Sequence, residues 1–321
     1  MGFEAIKLAK TAKMAVEVLL GVKPGESVCI ATDTNKLSIA QALAEACYAV
    51  GAETVVCIMT PRRIHGEEIP PVLAGAMKAA NVVIAPTSYA LTHTRGRLAA
   101  STAGARILIL REVTEDTFIN GAITADYEEI YAVTNRLVEH FDAASEIRMV
   151  TALGSDVRMS IAGRSGLCLA GLVRPPAWLA TLPSGEAAIA PIESSAEGTI
   201  IVDHAIDSMG LIKEPIKVNI REGRAISIDG GEQAKVLQKL INSDKNASNI
   251  AEFAIGTNPL SRMLGNIAED KILRGCVHIA VGDNHTIGGE VESCIHLDMV
   301  ILRPTVWLDG NKIVNEGVLS L

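Results

Sequence analysis

The sequence predicts an α/β protein with an N-terminal doubly wound parallel sheet domain and a C-terminal strand-rich α+β domain. Three observations predict it. Short continuous apolar runs alternate with helical patterns in the first half, as in a parallel sheet covered on both faces. Near Met149 the texture changes to alternating strands and turns. The core is aliphatic, with 49% hydrophobic residues but only 3% aromatic. A chain of this length can bury such a core without staples, and the change of texture places a domain boundary near residue 150 (1–150 and 151–321).

The elements follow in order. An amphipathic helix is predicted from about Phe3 to Leu20, ending at the turn signal KPGE. The strand SVCIAT, a helix over about Leu37 to Val50, and the strand TVVCIM come next. The helix VLAGAMKAA, the strand VVIAP, a helix over about His93 to Ala103, the strand RILIL and a long helix over Asp126 to Ala144 complete the first half. Beyond it, GTIIVDHAI, IKVNIREGRAISIDGG, VHIAVGD, CIHLDMVI and TVWLDGNKIV read as strands and turns. Helices are expected at about Gly231 to Asn242 and near Leu260 to Ala268.

Composition excludes several roles. A formal net charge of −8, no Lys/Arg run and few aromatic rings argue against nucleic-acid binding. No apolar run reaches a membrane span, and the N-terminus lacks a cleavage site and a myristoylation pattern. The six cysteines form no C-x-x-C pair, so they read as reduced thiols of a cytoplasmic protein. No G-x-G-x-x-G or phosphate-loop pattern follows the first strand, so no nucleotide site is expected there.

Three of the seven histidines lie between His278 and His296. His296 and Asp298 are two apart on a predicted strand, so they share a face and can share a metal. His278 falls on another predicted strand, with Asp283 and His285 in the loop beyond. A divalent ion with open positions asks for more carboxylates. Glu186 in LPSGEAAIAP and Glu252 in NIAEFAIGTNP answer that description. Each stands in an apolar string with no Lys or Arg to pair with it.

The blocks SYALTHTRGR, GSDVRMSIAGR, LPSGEAAIAPIESSAEGTIIVD, AEFAIGTNPLSR, VHIAVGDN and HLDMVI resemble, in order, those of the aminopeptidase T and aminopeptidase S metallo-aminopeptidases. The resemblance implies a C-terminal domain carrying two divalent ions (Zn, Co or Mn), a homodimer, and a small peptide or other small-molecule substrate. The ligands it implies are Glu186, Glu252, His278, His296 and Asp298, with a metal-activated water as nucleophile. Glu252 or Asp298 is then the candidate bridge between the ions. Where that family has a tyrosine near the metals, seven residues after His278, this chain has His285, a candidate ligand or proton carrier, with Glu193 as the alternative proton carrier. The connection between VHIA and HLD is also shorter than the family's.

The PSG, SAEGT and HLD blocks are also similar to those of the dihydroxypyridine ring-cleaving dioxygenases, which resemblance implies a single Fe(II) on two histidines and one carboxylate. Glu252 and His278 match the peptidase pattern; the chain length and compact HLD loop match the dioxygenases. The expectation is therefore a two-metal aminopeptidase, with the Fe(II) dioxygenase as its alternative and a metal-free binding protein behind both. His93 and Arg95 read as structural or carboxylate-binding, and His204 as a supporting residue at most.

Overall fold

The computed structural model describes residues 4–175 and 177–321. Phe3, the expected helix start, and the MGF of the N-terminal pattern lie outside the described residues. The chain forms two compact units, Met1–Glu128 with Ala170–Ser184, and Glu129–Leu169 with Gly185–Leu321.

In the first unit, helix α1 (Glu4–Met14) continues into a π-helical turn, Ala15–Leu19. Strands β1 (Ser27–Asp33), β2 (Glu53–Met59), β3 (Val82–Thr87) and β4 (Arg106–Arg111) alternate with α2 (Leu37–Ala49), α3 (Pro71–Ala79) and α4 (Arg95–Thr102). Helix starts carry local signals. Pro71 sits in the first turn of α3, where its missing N–H costs nothing. Thr94 caps α4 by accepting from the Arg97 N–H. Helix α5 (Glu115–Ile119) opens with a capping box at Thr114.

The strands pair in parallel, in the order β2-β1-β3-β4, as the continuous apolar runs predict. A fifth parallel strand closes the sheet beside β4 and comes from Leu179–Leu182, far along the chain. It is numbered β8, because helix α6 (Tyr127–Ala143) and β5 (Glu146–Val150), β6 (Asp156–Ser160) and β7 (Leu167–Leu169) precede it.

The second unit holds two antiparallel sheets. Its later strands are β9 (Glu186–Ile189), β10 (Glu197–Val202), β11 (Ala205–Ile206), β12 (Gly210–Leu211), β13 (Ile216–Arg221) and β14 (Arg224–Asp229). After α7 (Glu232–Leu240) come β15 (Ile250–Gly256), the short helix α8 (Ile267–Asp270), β16 (Val277–Gly282), β17 (His296–Ile301), β18 (Thr305–Leu308), β19 (Asn311–Asn315) and β20 (Val318–Leu319). One sheet runs β14-β13-β10-β6-β5-β18-β19-β20, the other β12-β11-β17-β16-β15-β9-β7. Phe253, Ile255, Ile279, Val281, Met299 and Ile301 of the second sheet join Met149, Val157, Ile200 and Val218 of the first in one buried core. Side chains of this kind contribute about 2 kcal/mol each when fully buried.

The helix expected near Leu260 to Ala268 is shorter and later. Residues Leu264 and Gly265 donate their N–H groups to the Asp270 carboxylate instead of to a helical ladder, and only Ile267–Asp270 is helical. Among the described residues no helix is long and apolar enough to cross a membrane. No cysteine is disulfide-bonded; Cys29, Cys47 and Cys276 are buried, and Cys294 is exposed.

Candidate metal centre

Period-two alternation builds the site. In the sheet of β15, β16 and β17, one face carries Phe253, Ile279 and Met299 into the core. The opposite face therefore presents Glu252 and Ala254, then His278 and Ala280, then His296 and Asp298. Ala280 pairs with Glu252 on one side and with Asp298 on the other. This small residue leaves room for the two carboxylates to converge over it. A register shift between Ile250 and Glu252 marks a bulge, a device that re-aims the side chain following it.

Glu186 enters from β9, which pairs with β15 so that Glu186 faces Gly256. The preceding glycine explains the PSGE block. Gly185 has φ of +137°, and a Cβ there would lie 2.8 Å from Asn258 Cβ. The same close approach lets the Thr257 N–H donate to the Gly185 carbonyl at 2.8 Å.

All five expected ligands come together as two overlapping groups, Glu186–Glu252–His278 and Glu252–His296–Asp298. His278 Nε2 lies 3.3 Å from Glu252 Oε1 and 3.8 Å from Glu186 Oε2. His296 Nε2 lies 3.1 Å from Glu252 Oε2 and 3.3 Å from Asp298 Oδ1. Glu252 thus offers a different oxygen to each histidine. The first group is shut away from solvent; in the second, the His296 side chain is 35% exposed.

The donors fit a divalent cation. Glu186 Oε2 and Asp298 Oδ1 are buried acceptors without a hydrogen bond, and His278 Nδ1 is also unmatched. Such orphans are costly unless something cationic meets them. The His296 ring is already oriented. Its Nδ1 lies 2.7 Å from the Asp283 carbonyl, which can only accept, so Nδ1 carries a hydrogen and Nε2 is the atom turned to the carboxylates, available to a metal once the ring is neutral.

Electrostatics point the same way. Burial opposes a charge on His296, but Asp298 and Glu252 outweigh it and hold its pKa well above 6.5. Burial, opposed by the two histidines, would raise Glu252, yet its pKa is lowered; that of Asp298 lies well below the usual value, with Lys271 the leading opponent of burial. A raised imidazole pKa stabilises the folded, metal-free chain below pH 6.5, and that contribution is lost as pH rises through the raised value. Metal needs the neutral ring. Above pH 6.5 the metal-free chain is therefore expected to lose stability while Mn(II) affinity rises. Denaturation and metal titration across that range check both slopes, and an affinity independent of pH would refute the assignment of His296 as a ligand.

Other expected residues fall elsewhere. His285 belongs to neither ligand group; its Nδ1 lies 2.8 Å from Asp283, which raises its pKa. Glu193 is a tether. It pairs with Arg164 and accepts from Asn284 Nδ2 at 3.1 Å and the Glu290 N–H at 2.9 Å, which holds the loop after β16. Arg95 is exposed and pairs with Glu68, which also accepts from the Arg95 and Gly96 N–H groups at the start of α4. His204 lies 2.7 Å from Asp270.

Glu186 meets a cation from outside its own apolar string. Glu186 has a cationic partner, Lys271, which lies 3.0 Å from Glu186 Oε1 and 3.1 Å from Asp298 Oδ2. It arrives from the residue after α8, so neither apolar string betrays it. The signal was a lysine preceding the VHIA strand in EDKILRG, a segment that reads locally as a solvated turn.

The fold and this face define a candidate metal centre, acidic and histidine-bearing, on the sheet of a strand-rich unit. The family described as 2,5-dihydroxypyridine 5,6-dioxygenase (NicX) matches residues 10–321, and the chain belongs to it. A 2,5-dihydroxypyridine 5,6-dioxygenase of Pseudomonas putida KT2440 is 23% identical over 256 residues, covering 75% of this chain and 71% of that protein. The solved structure of 2,5-dihydroxypyridine dioxygenase from the same organism superposes with a TM-score of 0.81 at 19% identity, covering 98% of this chain and 97% of that one. AmpT of Thermus thermophilus superposes with a TM-score of 0.75 at 17% identity over the whole of both chains, which shows a shared fold.

The expected aminopeptidase is thereby overturned, and with it the assignment to hydrolases and metalloproteases. The five donors are a property of this sheet face. They suit a cation and leave the reaction open.

Proposed function

We propose that the chain is an Fe(II)-dependent ring-cleaving dioxygenase acting on a dihydroxylated nitrogen heteroaromatic of the 2,5-dihydroxypyridine kind. The observation that carries this reading is membership of the dioxygenase family across residues 10–321. The site supports it with a donor group, Glu252–His296–Asp298, that is buried on one side and opens at His296 on the other.

Ferrous iron would be held by His296, Asp298 and Glu252, one histidine and two carboxylates where the dioxygenase resemblance implies two histidines and one carboxylate, and would supply the redox chemistry for dioxygen to react with an electron-rich ring. The protein's own groups do the rest. The Asp283 carbonyl fixes the His296 tautomer. Asp298 and Glu252 keep a low-pKa, anionic surround that favours a cation. His285, protonated to higher pH by Asp283, is the proton carrier in this reading; it stands on the loop whose first carbonyl holds His296.

The test is oxygen uptake by anaerobically Fe(II)-loaded protein given 2,5-dihydroxypyridine. Oxygen consumed in step with loss of the aromatic absorbance is expected. Iron-loaded, folded protein that leaves both untouched would sink the reading.

A further inference from the structure

We propose that Lys271 is a built-in cation that limits this centre to one divalent ion, its ammonium replacing in charge the second ion that the donor set could otherwise hold. The inference rests on the single-iron reading above and deepens it.

The donor set exceeds what one ion needs. Two overlapping groups share Glu252, whose Oε1 faces His278 and whose Oε2 faces His296. Lys271 binds one carboxylate of each group, Glu186 at 3.0 Å and Asp298 at 3.1 Å. It takes Glu186 Oε1 and Asp298 Oδ2, while Glu186 Oε2 and Asp298 Oδ1 stay on the side of the histidines. The ammonium therefore sits against both groups without consuming their inner oxygens.

Charge decides how many ions follow. Glu186 and Asp298 are buried, as is Glu252, so the cluster must be nearly neutral to be tolerated. Three carboxylates and one ammonium leave two negative charges, which one divalent ion cancels. A second ion would leave a buried excess of two positive charges beside a fixed ammonium. Without Lys271, three negative charges remain, and two ions with one hydroxide balance them.

Lys271 is also held in place, unlike a surface lysine. Its side chain is 15% exposed. The preceding Asp270 is fully buried and accepts from the Leu264 and Gly265 N–H groups, with His204 at 2.7 Å. Glu269 pairs with Arg262 at 3.1 Å. The turn that delivers the ammonium is thus fixed by buried polar contacts.

Metal-free protein is titrated with Mn(II), and separately with Fe(II) under anaerobic conditions, and bound metal is counted per chain after gel filtration. Wild type and Lys271→Arg are expected to hold one ion, and Lys271→Met two. Adding Glu186→Gln to Lys271→Met is expected to return the count to one. Two ions on wild type overturn the proposal even where Lys271→Met does not fold. So does a folded Lys271→Met that still holds one. The counts do not depend on turnover. A change from one to two with no oxygen uptake by wild type keeps the Lys271 role and removes the substrate reading; uptake with an unchanged count does the reverse.

Discussion

Replacing Glu252 by alanine is expected to lower metal affinity at least about 100-fold and to abolish oxygen consumption, the largest effect of any single change at this centre. Glu252 is the one side chain common to both donor groups. Its loss takes a carboxylate oxygen away from His278 and from His296 together. A structural cost is expected as well. His278 is fully buried, and breaking a buried charged contact typically costs about 3–5 kcal/mol. The metal-free variant also loses the stability that the raised histidine pKa values contribute, because they fall back when their anionic partner goes. Glu252→Gln separates these effects, since it keeps the shape and removes the charge. Metal counts, denaturation and oxygen uptake on both variants check the prediction. A Glu252→Ala protein that keeps its iron would show that the Glu252–His296–Asp298 group is not the metal centre.

Much of this centre was legible before the fold was known, for a simple reason. Strand periodicity places residues two apart on one face, so His296 and Asp298 announce themselves within three positions. Glu186 and Glu252 stood out because a carboxylate among Ala, Ile and Phe demands a partner. The parallel order β2-β1-β3-β4 was equally readable from its apolar runs. What escaped notice was non-local. Strand β8 leaves the strand-rich half of the sequence to complete the other unit's sheet, and no local pattern records that. Lys271 pairs with Glu186 across 85 residues, and the Asp283 carbonyl reaches His296 as backbone, invisible in a string of side chains. The reaction class failed for a different reason. Glu252 and His278 fit the peptidase pattern, while the compact loop between β16 and β17 fits the dioxygenases. Ligand identity constrains which cation binds; it does not choose between a water nucleophile and dioxygen.

That compact loop makes Gly282 the second position of large expected effect. Gly282 ends β16 with φ of +108° and pairs with His296. A Cβ there would lie 2.1 Å from the Ile295 carbonyl oxygen, a contact the backbone cannot absorb without moving. The same carbonyl accepts the Asp283 N–H at 2.7 Å, and Asp283 in turn accepts from His296. Gly282→Ala therefore combines backbone strain with displacement of the strand end that carries a metal ligand. A loss of about 3 kcal/mol in stability is expected, with a fall in Mn(II) affinity of about 10- to 100-fold. Gly288→Ala is the matched control. Gly288 also has positive φ, +99°, but nothing lies within 4 Å of its Cβ position. It should cost about 1 kcal/mol and leave metal affinity unchanged. If the two variants lose stability equally and bind Mn(II) alike, the close approach at Ile295 does not position His296, and ligand placement must come from β15 and β16 alone.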